Sequence, residues 1–268
     1  MRVGFIGSGN MASALARGWG DPVLATDSGS GRAKKLAQEL GGEALADNRE
    51  LAERADVVIL AHKPYQLEPV AQQVGDAAKV VVSILARVTQ ADVRALYPSA
   101  QVFCVEPNVP VELRQGVLAF AEPDVEVDEQ LYAELRELFG RLGTVVELPE
   151  RLLPVAGACC GVGPAYWALI AEGWIDSAIR RGLKPEIATT LVIETMAGAA
   201  ALLRAREGDT LGLRRSVASP GGTTARGLNA LERGGVRAAL AAAMDDVLSD
   251  ATDGIRQAQK RRPDEGKG

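Results

Sequence analysis

The hexapeptide Gly7-Ser8-Gly9-Asn10-Met11-Ala12 follows a four-residue apolar run and opens a stretch of helical periodicity. That is the context in which a glycine-rich turn holds a dinucleotide pyrophosphate. Gly7 makes the turn, Gly9 lets the backbone approach the phosphates, and the small Ala12 lets the helix pack on the strand, while free amides at the helix start bind the anion. Asp27 stands about 20 residues beyond Gly7, where an acid accepts bonds from an adenosine ribose and favours NAD. Ser28, Ser30, Arg32 and Lys34 follow at once, and hydroxyls with a base suit the 2′-phosphate of NADP. The loop leaves both cofactors open, and Arg32 and Lys34 would equally make a solvated first helical turn.

Two further segments carry chemistry. Ala61-His62-Lys63-Pro64 closes an apolar run, placing Lys63 at the carboxyl edge of a parallel sheet, where ligands bind and a lysine can serve the nicotinamide ribose or the phosphates. His62 reads as an incidental polar residue beside it. In Ser216-Val217-Ala218-Ser219-Pro220-Gly221-Gly222-Thr223-Thr224, the proline and two glycines force a tight turn. Thr223 and Thr224 then open a helix, and a helix start rich in amides and hydroxyls matches a substrate carboxylate.

The elements that position these residues follow from periodicity. Short β-branched runs at residues 3–6, 23–25, 57–61, 80–84, 102–105, 117–120 and 144–147 alternate with helix-period segments at 10–19, 32–40, 48–54, 69–74, 89–97 and 128–142. This alternation is that of a doubly wound α/β domain over residues 1–150. Beyond residue 150, alanine, leucine and glycine dominate, with helical segments at 163–181, 184–206, 223–232 and 236–260. An all-helical domain at 151–260 this small leaves apolar faces to cover, which favours dimerisation. The polar tail 261–268 is expected to be disordered.

Composition excludes several classes. The 268 residues are 47% hydrophobic and 24% charged with a net charge of −5, the balance of a soluble globular protein and the wrong sign for nucleic-acid binding. One histidine and three cysteines supply neither a zinc ligand set nor a disulfide framework, which points to no metal and to a reducing cytoplasm. No G-x-S-x-G elbow accompanies His62, so a serine-hydrolase triad is not expected. The apolar start 3–6 is too short for a signal peptide. Residues 152–171 run 20 positions without a charge, but Pro154, Gly157, Gly161, Gly163 and Pro164 interrupt them. They are read as buried core rather than a membrane span.

Together these pieces resemble the pyrroline-5-carboxylate reductase family over nearly the whole chain. Besides residues 7–12, the matching segments are Asn48 ahead of Ala55-Asp56-Val57, Lys63-Pro64, Ser83-Ile84, Pro107-Asn108 with Pro110, Gly161 with Gly163-Pro164-Ala165-Tyr166, and Ser219-Pro220-Gly221-Gly222-Thr223-Thr224. The resemblance implies a Rossmann-type domain followed by an all-α dimerisation domain, NADP(H) or NAD(H) as hydride carrier, and proline as product. It also implies homodimers that often assemble into larger rings. By the same resemblance Gly7, Gly9, Asn10 and Met11 hold the pyrophosphate, and Asn48 contacts the adenosine ribose. Lys63 with Asn108 lies near the nicotinamide half, and Ala61 and Pro64 belong to the cofactor-binding set. Gly222, Thr223 and Thr224 bind the substrate carboxylate, with Thr224 near the ring nitrogen as candidate proton donor.

The departures are informative. Where the family usually reads Ser-Ile-x-Ala-Gly, this chain has Ser83-Ile84-Leu85-Ala86-Arg87; where it reads Arg-x-Met-Pro-Asn-Thr-Pro, this chain has Cys104-Val105-Glu106-Pro107-Asn108-Val109-Pro110. Val162 and Ala218 replace a common serine and threonine. Arg87 and Glu106 fall near the expected nicotinamide pocket and are candidates to pair with each other. A reductase acting on another imine or a hydroxy acid, or a cofactor-binding paralogue without turnover, are the alternative readings.

Overall fold

The alternating pattern folds as a single twisted sheet with helices on both faces. The computed structural model describes the backbone of residues 1–260 and the side chains of residues 1–249; the expected tail at 261–268 lies outside the described residues. Two compact units are present, Met1–Pro164 with the chain from Leu248, and Ala165–Val247.

In chain order the first unit contains β1 (Val3–Ile6), α1 (Asn10–Trp19), β2 (Leu24–Thr26), α2 (Arg32–Leu40), β3 (Glu43–Ala44), α3 (Asn48–Arg54), β4 (Val57–Leu60) and α4 (Leu67–Val74). It continues through β5 (Val80–Ser83), α5 (Gln90–Leu96), β6 (Gln101–Pro107), β7 (Gly116–Ala121), α6 (Glu129–Gly140) and β8 (Gly143–Leu148). The strand order is β3-β2-β1-β4-β5-β6-β7-β8. All neighbours are parallel except the antiparallel pair β6 and β7. Strand order reverses between β1 and β4, which opens a ligand crevice at their carboxyl ends.

Strands buried on both faces need two apolar layers, and the sequence supplies them. Phe5, Ile59, Val82 and Phe103 pack with Trp19, Tyr132 and Phe139 on the α1 and α6 side. Ile6, Val58, Leu60 and Val81 pack with Leu51, Val74, Val93 and Tyr97 on the other. The buried Trp19 keeps its indole donor satisfied, with Nε1 donating to the Leu138 carbonyl at 2.8 Å.

Three elements depart from the expected pattern. The two-residue β3 is too short and too exposed to leave a periodic signal. β6 runs on to Pro107 because its end pairs with β7, Glu106 opposite Ala119 and Pro107 opposite Leu118. Residues 153–161 form a short helix, α7 (Leu153–Ala156), and a π turn, Gly157–Gly161, both within the first unit.

From Gly163 the chain is helical: α8 (Gly163–Ile179), α9 (Pro185–Ala205), α10 (Thr210–Val217), α11 (Thr223–Arg233) and α12 (Val236–Lys260). The unpredicted α10 begins at Asp209, whose side chain accepts from the Gly212 amide at 2.7 Å. The expectation that residues 152–171 are core is overturned within the single chain: Trp167 is 62% and Leu169 68% exposed. Helices apolar on all sides cannot bury every face in so small a unit. By length and composition, Glu150–Ile179 and Pro185–Ala205 are also long and apolar enough to cross a membrane.

Candidate active site

Between β1 and α1 the chain forms an empty-sided cradle. Gly7 has φ 99°, the left-handed side of backbone space that glycine enters without penalty. Its amide donates to the Thr26 carbonyl at 3.2 Å, and the Ser8 hydroxyl donates to the same carbonyl at 2.9 Å, which locks the turn to the end of β2. A Cβ on Gly7 would lie 2.7 Å from the Ala61 carbonyl carbon and the His62 nitrogen, whereas a Cβ on Gly9 would meet nothing within 4 Å. Gly9 caps α1, and no side chain bonds the first amides of that helix. Uncapped amides beside open space at a helix start are what a pyrophosphate requires. A dinucleotide therefore fits here, with Gly7, Gly9, Asn10 and Met11 around it.

The loop after β2 is organised around Asp27. The Asp27 carboxylate accepts from the Gly29 amide at 2.8 Å, the Ser30 hydroxyl at 3.0 Å and the Ala33 amide at 2.8 Å. Burial opposes its charge, but the Ala33 and Gly29 amides and the Ser30 hydroxyl hold its pKa below the ordinary carboxylate range. Asp27 thus shapes its own loop and the start of α2, while Ser28 and Arg32 face solvent. A cleft of about 330 Å³ opens beside the cradle, with Ser8, Asn10, Arg32, Lys35 and Glu112 on its walls.

At the carboxyl edge of β4, Ala61 is half-buried and Lys63 and Pro64 are exposed. His62 Nδ1 sits 2.9 Å from the Lys63 carbonyl, and burial lowers the imidazole pKa, so the ring is neutral at pH 7 with its proton on Nδ1. Asn48 opens α3; its Oδ1 accepts from the Thr26 hydroxyl at 2.6 Å and its Nδ2 donates to Gln73 Oε1 at 2.6 Å. Asn108 is buried. Its Oδ1 accepts from the Val117 amide at 2.8 Å and its Nδ2 donates to the Cys160 carbonyl at 3.1 Å, so this side chain ties β7 and the π turn to the end of β6.

The departures from the family pattern have distinct structural meanings. Arg87 is exposed and has φ 65°, a left-handed backbone that glycine adopts without penalty and that a bulkier residue holds here at about 1–2 kcal/mol of strain. Cys104 is buried, and burial first, then the charge of Glu150, push its thiol up to about 12. Glu106 has no hydrogen bond or ion pair among the described residues, so the candidate pairing with Arg87 is not formed. Burial pushes its carboxyl up to about 7. Its Oε1 lies 3.2 Å from where a Cβ of Gly157 would stand and 3.5 Å from that of Gly161.

In the second unit α11 starts as expected, with Gly222 as its cap and no side chain bonding its first amides. Gly221 has φ 73°, the Gly222 amide donates to the Ser219 carbonyl at 3.0 Å, and Thr223 and Thr224 are exposed. What the residue pattern did not reveal is the π turn against Glu106, for which the only signal was two glycines four positions apart.

Comparison with known proteins accounts for both units. Residues 150–253 match the model described as pyrroline-5-carboxylate reductase dimerisation, and residues 2–87 match that described as NADP oxidoreductase, coenzyme F420-dependent. A pyrroline-5-carboxylate reductase of Synechocystis sp. is 32% identical over 90% of this chain and 93% of its own length. One of Methanosarcina acetivorans is 32% identical over 89% and 92%. The crystal structure of 1-pyrroline-5-carboxylate reductase from Streptococcus pyogenes superimposes with a TM-score of 0.86 at 26% identity, covering 94% of this chain and 98% of that one.

Proposed function

This chain belongs to the pyrroline-5-carboxylate reductase family, and we infer from that premise that it reduces 1-pyrroline-5-carboxylate to L-proline with a nicotinamide cofactor. The observation that carries the reading in the structure is the cradle, where Gly9 leaves open space over the uncapped start of α1. A bound reduced nicotinamide supplies the hydride. The protein's task is to bind, orient and exclude water, since a protonated imine carbon is already electrophilic.

In this reading Gly7, Gly9, Asn10 and Met11 hold the pyrophosphate, Asn48 borders the adenosine ribose, and Ala61, Lys63, Pro64 and Asn108 border the nicotinamide half. Three donors of its own loop already occupy Asp27, whereas Ser28 and Arg32 are exposed; this favours a 2′-phosphate and hence NADPH over NADH. Gly222, Thr223 and Thr224 hold the substrate carboxylate at the start of α11, with the Thr224 hydroxyl near the ring nitrogen. The deciding assay follows absorbance at the nicotinamide band with pyrroline-5-carboxylate and either cofactor. Oxidation is expected with NADPH preferred, and Thr224→Ala is expected to lower kcat/KM by about tenfold or more, the size of one hydrogen bond to a charged group. A cofactor that binds without being consumed would sink the reading.

Exposed Trp167, Trp174, Leu191 and Ile193 lie in the segment that matches the dimerisation model, and we assign their burial to a second copy of the chain rather than to lipid. Dimers that close into larger rings and a cytoplasmic location, in keeping with three free thiols, complete the reading. Light scattering should give a mass at least twice the 28.2 kDa of one chain; a stable monomer at micromolar concentration would contradict it.

A further inference from the structure

Resting on the reductase reading above, we propose that Lys35 determines the choice of NADPH over NADH by holding the 2′-phosphate of the cofactor in the cleft between α1 and α2.

The position follows from helical spacing. In α2, Arg32, Lys35, Leu36 and Glu39 stand at i, i+3, i+4 and i+7 and share one face. Lys34, two positions after Arg32, does not face it. Leu36 is buried beneath the shared face while Arg32 and Lys35 stay exposed. Arg32, Lys35 and Leu36 line the cleft of about 330 Å³ together with Ser8, Asn10 and Ser13 from the glycine turn and α1, and Lys34 does not. Order along the chain offers Lys34 as the base that follows this loop; the turn of the helix gives the cleft to Lys35.

The cleft and the phosphate cradle share a wall. Ser8 and Asn10 belong to both, and the Ser8 hydroxyl donates to the carbonyl of Thr26 at 2.9 Å. The Thr26 hydroxyl in turn donates to Asn48 at 2.6 Å, so the residue assigned to the adenosine ribose and the wall of the cleft meet at the end of β2. A ribose carries its 5′ link to the pyrophosphate and its 2′ group on one five-membered ring. A dinucleotide seated over Gly9 therefore has its 2′ group next to the cleft.

The charges suit a phosphate there. Arg17 bonds Glu39 at 2.7 and 3.1 Å and Glu112 at 3.3 Å, so these acids already share a cation. The side chains of Arg32 and Lys35 make no hydrogen bond or ion pair among the described residues. Asp27, which an NAD site would turn toward the 2′-hydroxyl, accepts from three donors of its own loop instead. A phosphate monoester brings a charge of about −2 at pH 7, and a guanidinium and an ammonium one helical turn apart can bond different oxygens of it. The uncharged 2′-hydroxyl of NADH gains little from either cation.

The test titrates full-length wild type, Lys35→Gln and Lys34→Gln by calorimetry with NADPH, NADH and adenosine 2′,5′-bisphosphate, which carries the 2′-phosphate without the nicotinamide. Both lysines are exposed, so neither change should disturb the fold, and a thermal melt of each variant checks this. Lys35→Gln should weaken NADPH and the bisphosphate about tenfold or more, the loss of one charge-assisted hydrogen bond, and leave NADH within about twofold. Lys34→Gln removes the same charge one position away and should leave all three ligands within about twofold.

A loss of NADPH affinity below about fivefold in Lys35→Gln, equal losses for NADPH and NADH, equal losses in the two variants, or a wild type that binds NADH as tightly as NADPH would each overturn the role of Lys35. All four outcomes leave the reductase reading standing. Turnover tests that reading separately: with pyrroline-5-carboxylate, the ratio of kcat/KM for NADPH to that for NADH should fall about tenfold in Lys35→Gln. Oxidation of neither cofactor by wild type would overturn the reductase reading, while the binding constants still decide for or against Lys35.

Discussion

Gly9→Val is expected to weaken NADPH binding by about 100-fold or more, the loss of one or two charge-assisted amide contacts to phosphate. The fold should be nearly untouched. Gly9 has φ −74° and ψ −173°, extended backbone that valine adopts readily, and a Cβ there meets nothing within 4 Å. A valine cap is poorer than a glycine cap, a cost of about 1 kcal/mol or less. The added side chain instead fills the space above the first amides of α1. Fluorescence titration of the cofactor beside a thermal melt separates the two effects; undiminished binding would mean that the pyrophosphate does not cross this residue.

Gly7→Ala, two positions earlier, should act on the fold itself. Its φ of 99° is unfavourable for alanine, and the new Cβ would sit 2.7 Å from backbone atoms of Ala61 and His62. Backbone cannot rotate aside as a side chain can, so the ends of β1 and β4 must part at the switch point of the sheet. Strain and lost packing together should destabilise by about 3–5 kcal/mol, or about 10 °C in midpoint for a chain of this size. A midpoint within 2 °C of wild type would show that the turn relaxes more cheaply than the geometry allows. The pair of variants distinguishes the glycine that makes the turn from the glycine that leaves room, a division of labour assigned from the hexapeptide alone.

Much of the fold was legible because its signals are short-range. A strand of four apolar residues, a glycine turn and a helix with period 3.6 each lie within one segment, and their alternation implies a parallel sheet without knowledge of distant contacts. The same holds for the start of α11, where Pro220, Gly221 and Gly222 dictate the turn before Thr223. The fate of residues 152–171 was not legible in this way. An uncharged run states only that burial is favourable, and what does the burying is a property of the surroundings: another layer of the same chain or a second copy.

The candidate site divides along the same line. The sequence by itself determined the fingerprint, the doubly wound first domain, the helical second domain and the family to which their motifs belong. Only the tertiary structure decided that Asp27 turns into its own loop, that Arg87 keeps a glycine-like backbone, and that Asn108 spans β7 and the π turn. It alone placed Glu106 against Gly157 and Gly161, with no hydrogen bond or ion pair among the described residues. The physical reason is desolvation: a carboxyl has the same chemistry wherever it stands in a sequence, and its acidity is set by segments some fifty residues away that exclude water from it.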